Sequence, residues 1–332
     1  MKRYLGRLLA ATAICTGVAS TAAAADFEWK FFTIYGVSDK QSDWLRGFAK
    51  DVADKTGGKL NITLFTGSEL PYKGTDVYRA ISRRQVEMGH SVTGFMAADQ
   101  PLLEAMTMPF VCSDIDKFYE KVLPAIRPTF DQAIEEKFGA TPLIHWAMPG
   151  QNLFTTKDVQ RLTDFKGMKI RTWNQGQVQT MDKLGATSVS LTTAEVTPSL
   201  QRGVIDGAIT AASNADAWSW HEVLRHGYMF NITLSHEVIS VNNQALSELP
   251  DDVRKGLMEA AAEWGGKLRY EVSVIDSKAR ENLTAKGITL VEVTPEDKAE
   301  FARLTAPIAD DWAKAQGAKG EEVLGAIRAN CQ

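Results

Sequence analysis

An apolar repeat late in the chain sets the strongest limit on its architecture. After Leu249-Pro250, apolar residues recur at steps of three and four, which is the spacing of one buried helical face. The members are Val253, Leu257, Ala261, Trp264, Leu268, Val272, Ile275, Ala279 and Leu283. A helix of this length is unusual in a globular protein. We therefore predict one long helix through this segment, with Gly265-Gly266 as the point where it could bend.

The chain opens with the pattern of an export signal. Three basic residues among the first seven precede an apolar run from Leu8 to about Ala19, and small residues follow, ending in Ala23-Ala24-Ala25. The apolar run is too short to span a bilayer. We therefore expect residues 1–25 to be a secretory signal peptide, cleaved before Asp26, and the mature protein to be soluble and periplasmic.

Charge and size narrow the possible functions. Without the three basic residues of the signal segment, 34 basic residues face 41 acidic ones, a formal charge of −7. Such a protein lacks the basic surface that nucleic acid binding requires, so we exclude that class of partner. A mature chain of about 300 residues is longer than a single hydrophobic core usually supports, so its length favours two domains. Cys112 and Cys331 either pair or stay free, and their spacing does not decide between these alternatives.

Strand and helix patterns alternate along most of the chain, which is typical of an α/β fold with a largely parallel sheet. The alternation starts afresh near Gly150, and His236 to Val241 has a strand pattern that we expect to cross back into the first domain. We therefore assign residues 26–149 and 237–275 to domain I, and residues 150–236 and 276–332 to domain II.

The segment from Asp164 to Trp173 places one arginine at a predicted strand end. A glycine turn and a short alternating strand precede Arg171, and a helix pattern follows it. The planar fork of guanidinium donors matches a carboxylate with two hydrogen bonds, so Arg171 is a candidate clamp for a small organic acid. Taken alone, an arginine at a strand end is more often a surface or salt-bridged residue. Neighbouring motifs distinguish this one.

Those motifs extend the pattern into a resemblance to a known family. Lys166 to Arg171 follows the pattern Lys-Gly-x-Lys-Ile-Arg, and Gln201 to Gly207 follows Gln-x-Gly-x-x-Asp-Gly. Met108-Pro-Phe110 gives weaker support. Together with Gly150, these segments resemble the solute receptors of TRAP (tripartite ATP-independent periplasmic) transporters, family 7 of the extracellular solute-binding proteins, over nearly the whole mature chain. The resemblance implies a two-domain periplasmic-binding-protein (Venus flytrap) fold whose long helix spans both domains.

The resemblance also implies a function. Receptors of this family capture a small organic acid between the domains and deliver it to a small and a large integral membrane subunit, drawing on an ion gradient and not on ATP. Arg171 matches the residue that holds the ligand carboxylate. The other ligand-facing positions would be Trp173, Asn174, Asn152, Thr210 and Thr193 in the second domain, and Tyr35, Ser91, Thr93 and Phe95 in the first. We expect a monomer.

Two departures from the family pattern bear on the ligand. Sialic-acid and dicarboxylate receptors carry another arginine two residues after the equivalent of Gly150, where this chain has Gln151-Asn152. Phe95 stands where the sialic-acid receptors use a basic residue. Without those cations, a monocarboxylate is favoured. We expect an aromatic or hydroxy/keto acid that stacks on Trp173. Its hydroxyl or keto group is expected to reach Asn152, Asn174 or Thr210.

The sequence contains no motif that indicates catalysis. Gly-x-Ser-x-Gly, His-Glu-x-x-His, a phosphate-binding glycine-rich loop and Cys-x-x-Cys are all absent. The five histidines lack the spacing of a metal-ligand pair. We therefore expect no enzyme activity, no cofactor and no metal site. Two alternatives stay open: a periplasmic enzyme acting on a carboxylic acid, with Glu237 or His236 as its base, and a receptor that serves a signalling partner.

Overall fold

The computed structural model describes residues 25–67, 69–191 and 193–331, with the side chain of residue 194 left out. The predicted signal peptide, residues 1–25, lies almost entirely outside this part of the chain. Among the described residues, no helix is both long enough and apolar enough to cross a membrane.

The strands and helices alternate as the sequence predicts. The strands are β1 (Phe27–Phe32), β2 (Leu60–Phe65), β3 (Met88–Val92), β4 (Ala140–Met148), β5 (Asn152–Thr155), β6 (Lys169–Thr172), β7 (Thr187–Ser190), β8 (Gly207–Thr210), β9 (His226–Tyr228), β10 (Ser235–Asn242) and β11 (Thr289–Val291). The α-helices are α1 (Lys40–Lys55), α2 (Val77–Ser82), α3 (Thr93–Met96), α4 (Ile115–Lys117), α5 (Leu123–Phe138), α6 (Gln175–Lys183), α7 (Thr193–Gln201), α8 (Ala212–Ala217), α9 (Asn243–Glu248), α10 (Asp251–Ala285), α11 (Pro295–Ala315) and α12 (Gly317–Cys331).

The strands form two sheets, and each sheet is the centre of one domain. The first sheet has the order β2-β1-β3-β10-β4, with β1 parallel to β2 and β3, and β10 antiparallel to β3 and β4. The second has the order β11-β9-β5-β8-β6-β7, with β6 parallel to β7 and β8. The predicted crossing strand is confirmed, because β10 follows β9 of the second sheet and lies within the first. Two α/β domains, each built on a sheet of mixed parallel and antiparallel strands, confirm the predicted fold class.

Helix α10 is the predicted long helix, and it joins the two domains. Its buried residues from Val253 to Val272 belong to the same apolar cluster as Trp44 and Trp146 on one face of the first sheet. Ala279 and Leu283 belong instead to a cluster on the second sheet. The helix continues through Gly265-Gly266 without interruption. At about 1.5 Å per residue, a helix of 35 residues reaches roughly 50 Å, enough to brace both domains.

The C-terminal helices differ from the prediction, which placed all of residues 276–332 in the second domain. Phe301 of α11 packs in a second-domain cluster, but Ile308 and Trp312 of the same helix pack in a first-domain cluster. Helix α12 lies entirely on the first domain, where Cys331 forms a disulfide with Cys112. The chain therefore crosses between the domains once more within α11, because its apolar face continues onto the first core.

Candidate functional site

The cleft between the domains is defined by the edges at which the two sheets face each other. Two chain segments cross it, one between β4 and β5 and the other between β9 and β10. They are tied together where Gln151 N donates to Thr233 O at 2.8 Å and Ile232 N donates to Gln151 O at 2.8 Å. Because this crossing is paired, it fixes the ends of β4, β5 and β10 at the cleft.

Arg171 lies on β6 in the second domain, between β7 and β8. Its Nε donates to the carbonyl oxygen of Leu191 at 3.0 Å, and its Nη1 donates to that of Ile209 at 3.2 Å. These carbonyls come from the ends of the two neighbouring strands and hold the guanidinium in place. The residue is only 4% exposed. The strand pattern before Arg171 thus delivers a cation into a nearly closed space.

This cation has no counter-ion among the described residues, and Nη2 has no hydrogen-bond partner there. Burial lowers the pKa of Arg171 to about 10, because desolvation disfavours its charged form. The group still carries its proton at neutral pH. A buried charge without a partner is costly, and an anion placed beside it would offset that cost. The position is therefore suited to a ligand carboxylate.

Trp173 and Asn174 follow Arg171 and lead into α6. Asn174 caps this helix, since its Oδ1 accepts a hydrogen bond from Gln177 N at 2.8 Å. Its Nδ2 is buried and has no hydrogen-bond partner among residues 25–67, 69–191 and 193–331. The ring of Trp173 meets that of Phe95 edge-to-face, with centroids 5.5 Å apart. Phe95 belongs to the first domain, so this pair bridges the cleft.

The other second-domain candidates differ in what their side chains do. Asn152 and Thr210 are paired in register on β5 and β8, and both are buried. Asn152 already bonds to the crossing segments: its Nδ2 donates to Gly150 O and its Oδ1 accepts from Asn231 N, both at 2.8 Å. Thr193 is half-buried at the start of α7. Asn152 therefore has a structural task that the sequence does not reveal.

The first-domain candidates lie around the ends of β1 and β3. Ser91 and Thr93 are buried, and neither hydroxyl has a hydrogen-bond partner within the part of the chain that the structure describes. Tyr35 stacks on His90 with centroids 4.9 Å apart and planes 6° from parallel. Its hydroxyl donates to Glu237 Oε2 at 2.8 Å, and burial is the largest cause of its raised pKa. Among the predicted residues, the structure shows contact across the cleft for Phe95 of the first domain and Trp173 of the second.

Sequence reasoning did not assign His90 and Gln41 to this site, and it considered Glu237 only as the base of an enzyme. His90 and Glu237 form a buried polar group with Tyr35, and Gln41 of α1 donates to Asn214 of the second domain. A signal for Glu237 is present in the sequence, since it is an acidic residue within the strand pattern of β10, where charged side chains are rare. His90 lies within β3, as a polar side chain among buried strand residues.

Contacts across the cleft hold the domains together on two sides. On one side, Gln41 Nε2 donates to Asn214 Oδ1 at 3.3 Å, and Trp218 Nε1 donates to Asp39 Oδ2 at 3.5 Å. On the other side, Gly176 N donates to Glu104 Oε1 at 3.1 Å. Burial raises the pKa values of Asp39 and Glu104. The two domains are therefore in direct contact across the cleft in this structure.

The geometry does not favour the bases named for an enzyme. Glu237 already accepts hydrogen bonds from Tyr35 and His90. His236 lies on the opposite face of the first sheet, where Phe118 and Phe130 enclose its ring. Within the described residues, no group of three or more His, Cys, Asp or Glu side chains has the arrangement of a metal site. What the second domain brings to the cleft is the buried guanidinium of Arg171.

The model of the family described as bacterial extracellular solute-binding protein, family 7, matches residues 34–316. The C4-dicarboxylate-binding periplasmic protein DctP of Rhodobacter capsulatus is 25% identical over 331 residues, covering 99% of this chain and 98% of the relative.

Two solved structures are similar over the same extent. DctP6 of Bordetella pertussis, an extracytoplasmic solute receptor binding pyroglutamic acid, superposes with a TM-score of 0.86 at 26% identity, covering 91% of this chain and 99% of that one. A TRAP solute-binding protein from a marine metagenome, specific for pyroglutamate and crystallised with co-purified pyroglutamate, superposes with a TM-score of 0.85 at 26% identity, covering 91% and 98%.

Proposed function

The chain belongs to family 7 of the bacterial extracellular solute-binding proteins, and on that premise we propose that it is the periplasmic receptor of a TRAP transporter for a small monocarboxylate. It captures the acid in the cleft between its domains and presents it to the small and large membrane subunits. It acts as a monomer, after its signal peptide has been removed.

Arg171 carries this proposal. It is a buried cation without a counter-ion among the described residues, and the two carbonyl oxygens that accept its hydrogen bonds carry no net charge to neutralise it. A carboxylate beside Nη2 would neutralise the charge of the guanidinium and accept the hydrogen bond that Nη2 can donate. Affinity would then depend on the acid group of the ligand, because an uncharged analogue leaves the guanidinium buried and unpaired.

The charge balance of the cleft favours one carboxylate over two. Gln151-Asn152 and Phe95 occupy the positions where related receptors carry further cations. Asp39, Glu104 and Glu237 approach the cleft from the first domain, so a second ligand carboxylate would meet negative charge there. The relative from Rhodobacter capsulatus is named for C4-dicarboxylates, whereas the two structures bind pyroglutamate, a monocarboxylate.

The shape of the cleft bears on the body of the acid. Trp173 already contacts Phe95, and Gly94 lies directly beneath its ring. A compact acid with a hydroxyl, keto or lactam group fits this narrowed space. An aromatic acid requires Trp173 to turn from Phe95 and stack on the ligand. Compact acids are therefore the first class to test, and aromatic acids the second.

Binding would work by closure. The crossing segments and α10 connect the domains, and the hydrogen bonds across both sides of the cleft form when the domains come together around the acid. Closure removes water from the Arg171 site, which strengthens the ion pair with the ligand. The membrane subunits would then recognise the closed form.

Two measurements test the proposal. Native protein purified from its periplasm is denatured, and released small molecules are identified by mass spectrometry. In parallel, thermal shift and calorimetry are run with pyroglutamate, 2-acetolactate, mandelate, 4-hydroxybenzoate and succinate, with analysis of the acid afterwards. We expect stabilisation by a monocarboxylate that is recovered unchanged. Turnover of the acid would establish the enzyme alternative instead, and preference for succinate would contradict the ligand class.

A further inference from the structure

Glu237 is a buried carboxylate that its surroundings do not fully satisfy. It lies on β10 opposite Val92, the last residue of β3, and is 2% exposed. Its Oε2 accepts hydrogen bonds from the Tyr35 hydroxyl and from His90 Nε2, each at 2.8 Å. Its Oε1 has a single described contact, with the Ser235 hydroxyl at 3.3 Å. That distance is longer than a good O–H···O bond, so Oε1 retains unused capacity as an acceptor.

The unused oxygen lies toward the start of β10, next to the segment that crosses between the domains. Its contact, Ser235, is the first residue of β10 and pairs with Met148 at the end of β4, and both strands connect there to the crossing segments. Thr93, just after β3, has a buried hydroxyl without a partner among the described residues, and a Cβ atom on the neighbouring Gly94 would lie 2.9 Å from the Trp173 ring. A ligand held in the cleft therefore approaches Glu237 from the side of Oε1.

No lysine or arginine among the described residues pairs with this carboxylate. The basic group within ion-pair distance is His90, whose Nε2 donates to Oε2. Its Nδ1 lies 3.0 Å from the Thr33 hydroxyl, which accepts from Tyr35 N. Arg171 faces the cleft from the other domain. The two domains therefore bring groups of opposite charge, the Glu237 carboxylate and the Arg171 guanidinium, to the cleft.

A polarised cleft orients a ligand that is itself polar. Building on the proposed function, we infer that Glu237 selects acids which carry an N–H or O–H donor on the side away from their carboxylate. The carboxylate binds Arg171, and the donor binds Glu237 Oε1. An acid of the same shape without that hydrogen leaves Oε1 unsatisfied and brings its own lone pairs against a buried anion.

Matched pairs of acids test this inference. Pyroglutamate has a ring N–H, and 5-oxotetrahydrofuran-2-carboxylate has a ring oxygen in its place. Proline and tetrahydrofuran-2-carboxylate form a second pair, in which the donor is a charged ammonium. Dissociation constants are measured by calorimetry for all four. We expect the donor-bearing acid to bind at least about tenfold more tightly in each pair that binds, as for a hydrogen bond to a charged group. The two pairs distinguish a neutral donor from a cationic one.

The variant Glu237→Gln should reduce this ratio toward one, because the amide no longer supplies two anionic oxygens. Asp131→Asn, on the opposite face of the first sheet, is the control and should keep the ratio. If Glu237→Gln does not fold, Ser235→Ala frees Oε1 fully and should keep or raise the ratio. Equal binding within the pairs, or an unchanged ratio in Glu237→Gln, would overturn the inference while leaving the proposed function intact. Failure of every acid to bind would reject the proposed function, and this inference with it.

Discussion

The ring of Trp173 meets the ring of Phe95 at 5.5 Å and 71°, and this edge-to-face pair joins the two domains beside Arg171. The two rings belong to different domains, so the pair is a contact between the domains. Trp173 is two residues from the guanidinium, so one short segment carries both the proposed anion site and this contact. On the proposed function, binding at Arg171 and closure of the domains are coupled through residues 171–174.

Gly94 should be required for that closure. A Cβ atom at this position would lie 2.9 Å from the Trp173 ring and 3.1 Å from Thr107 Cγ2. We expect Gly94→Ala to weaken ligand binding by about tenfold or more through this overlap, with little change in the melting temperature of the free protein. Calorimetry and thermal melts measure the two effects. Gly325→Ala, at a helical position open to solvent, is the control. Unchanged affinity in Gly94→Ala would show that Trp173 moves away at no cost.

Removal of the Arg171 charge should separate binding from folding. We expect Arg171→Met to lower affinity for a monocarboxylate at least about 30-fold, as for the loss of one partner of a buried charge pair. The free protein should keep or gain stability, since an unpaired buried cation is removed. Arg303→Met, whose exposed guanidinium pairs with Glu300 on the same helix, should change neither quantity. Ligand-induced thermal shift that survives in Arg171→Met would refute the assignment of the anion site.

Two buried histidines should make folding sensitive to mild acid. His145 Nε2 donates to Asp131 Oδ1 at 2.7 Å, and its Nδ1 lies 2.9 Å from His236 Nε2. Burial is the largest cause of the lowered pKa values of both rings. Both are therefore neutral in the fold, and their contribution to stability is present above the unfolded pKa of about 6.5 and is lost as the pH falls below it.

We accordingly expect the contribution of these two histidines to the free energy of unfolding to be nearly constant from pH 7 to 8. The free energy of unfolding should then fall between about pH 6.5 and 5. Each histidine contributes up to about 1.4 kcal/mol per pH unit. Urea denaturation at several pH values measures this. His236→Phe should flatten the dependence, whereas the control His221→Gln should not. A wild-type profile equal to that of His236→Phe would show that these rings do not govern acid stability.

The Cys112–Cys331 disulfide should stabilise the fold without serving the site. It closes a loop of 219 residues and fastens α12 to the first domain. We expect its removal in Cys112→Ser/Cys331→Ser to lower the free energy of unfolding by about 2–5 kcal/mol. Ligand affinity should stay the same, because neither cysteine borders the cleft. Dithiothreitol should destabilise the wild type and leave the double variant unchanged. A large loss of affinity in that variant would show that α12 contributes to closure.

Local pattern was enough to predict the elements that later define the site. The alternation around Ile170 places Arg171 at a strand end, and the apolar steps from Val253 to Leu283 give the whole of α10. These signals are local in sequence, since helical and strand periodicity depends on residues a few positions apart. The pattern of His236 to Val241 likewise predicted β10.

Other features depend on contacts between distant residues. Helix α11 has an ordinary amphipathic pattern. That pattern does not indicate that Phe301 packs in the core of the second domain and Trp312 in the core of the first. The pairing of Cys112 with Cys331 was equally open, because spacing alone does not bring two thiols together. Asn152 resembled a ligand contact by position, and only the crossing segments show that its amide bonds to Gly150 and Asn231.

The sequence by itself determined an α/β chain with a long bracing helix, and it predicted export and one arginine placed to meet an acid. The tertiary structure decided that this arginine is buried without a counter-ion among the described residues, and that Glu237, 66 positions further along, is buried in the other domain with one long contact to its Oε1. The physical reason is that burial and charge pairing are properties of the assembled cleft. They arise from groups supplied by two sheets, and no local pattern encodes the distance between them.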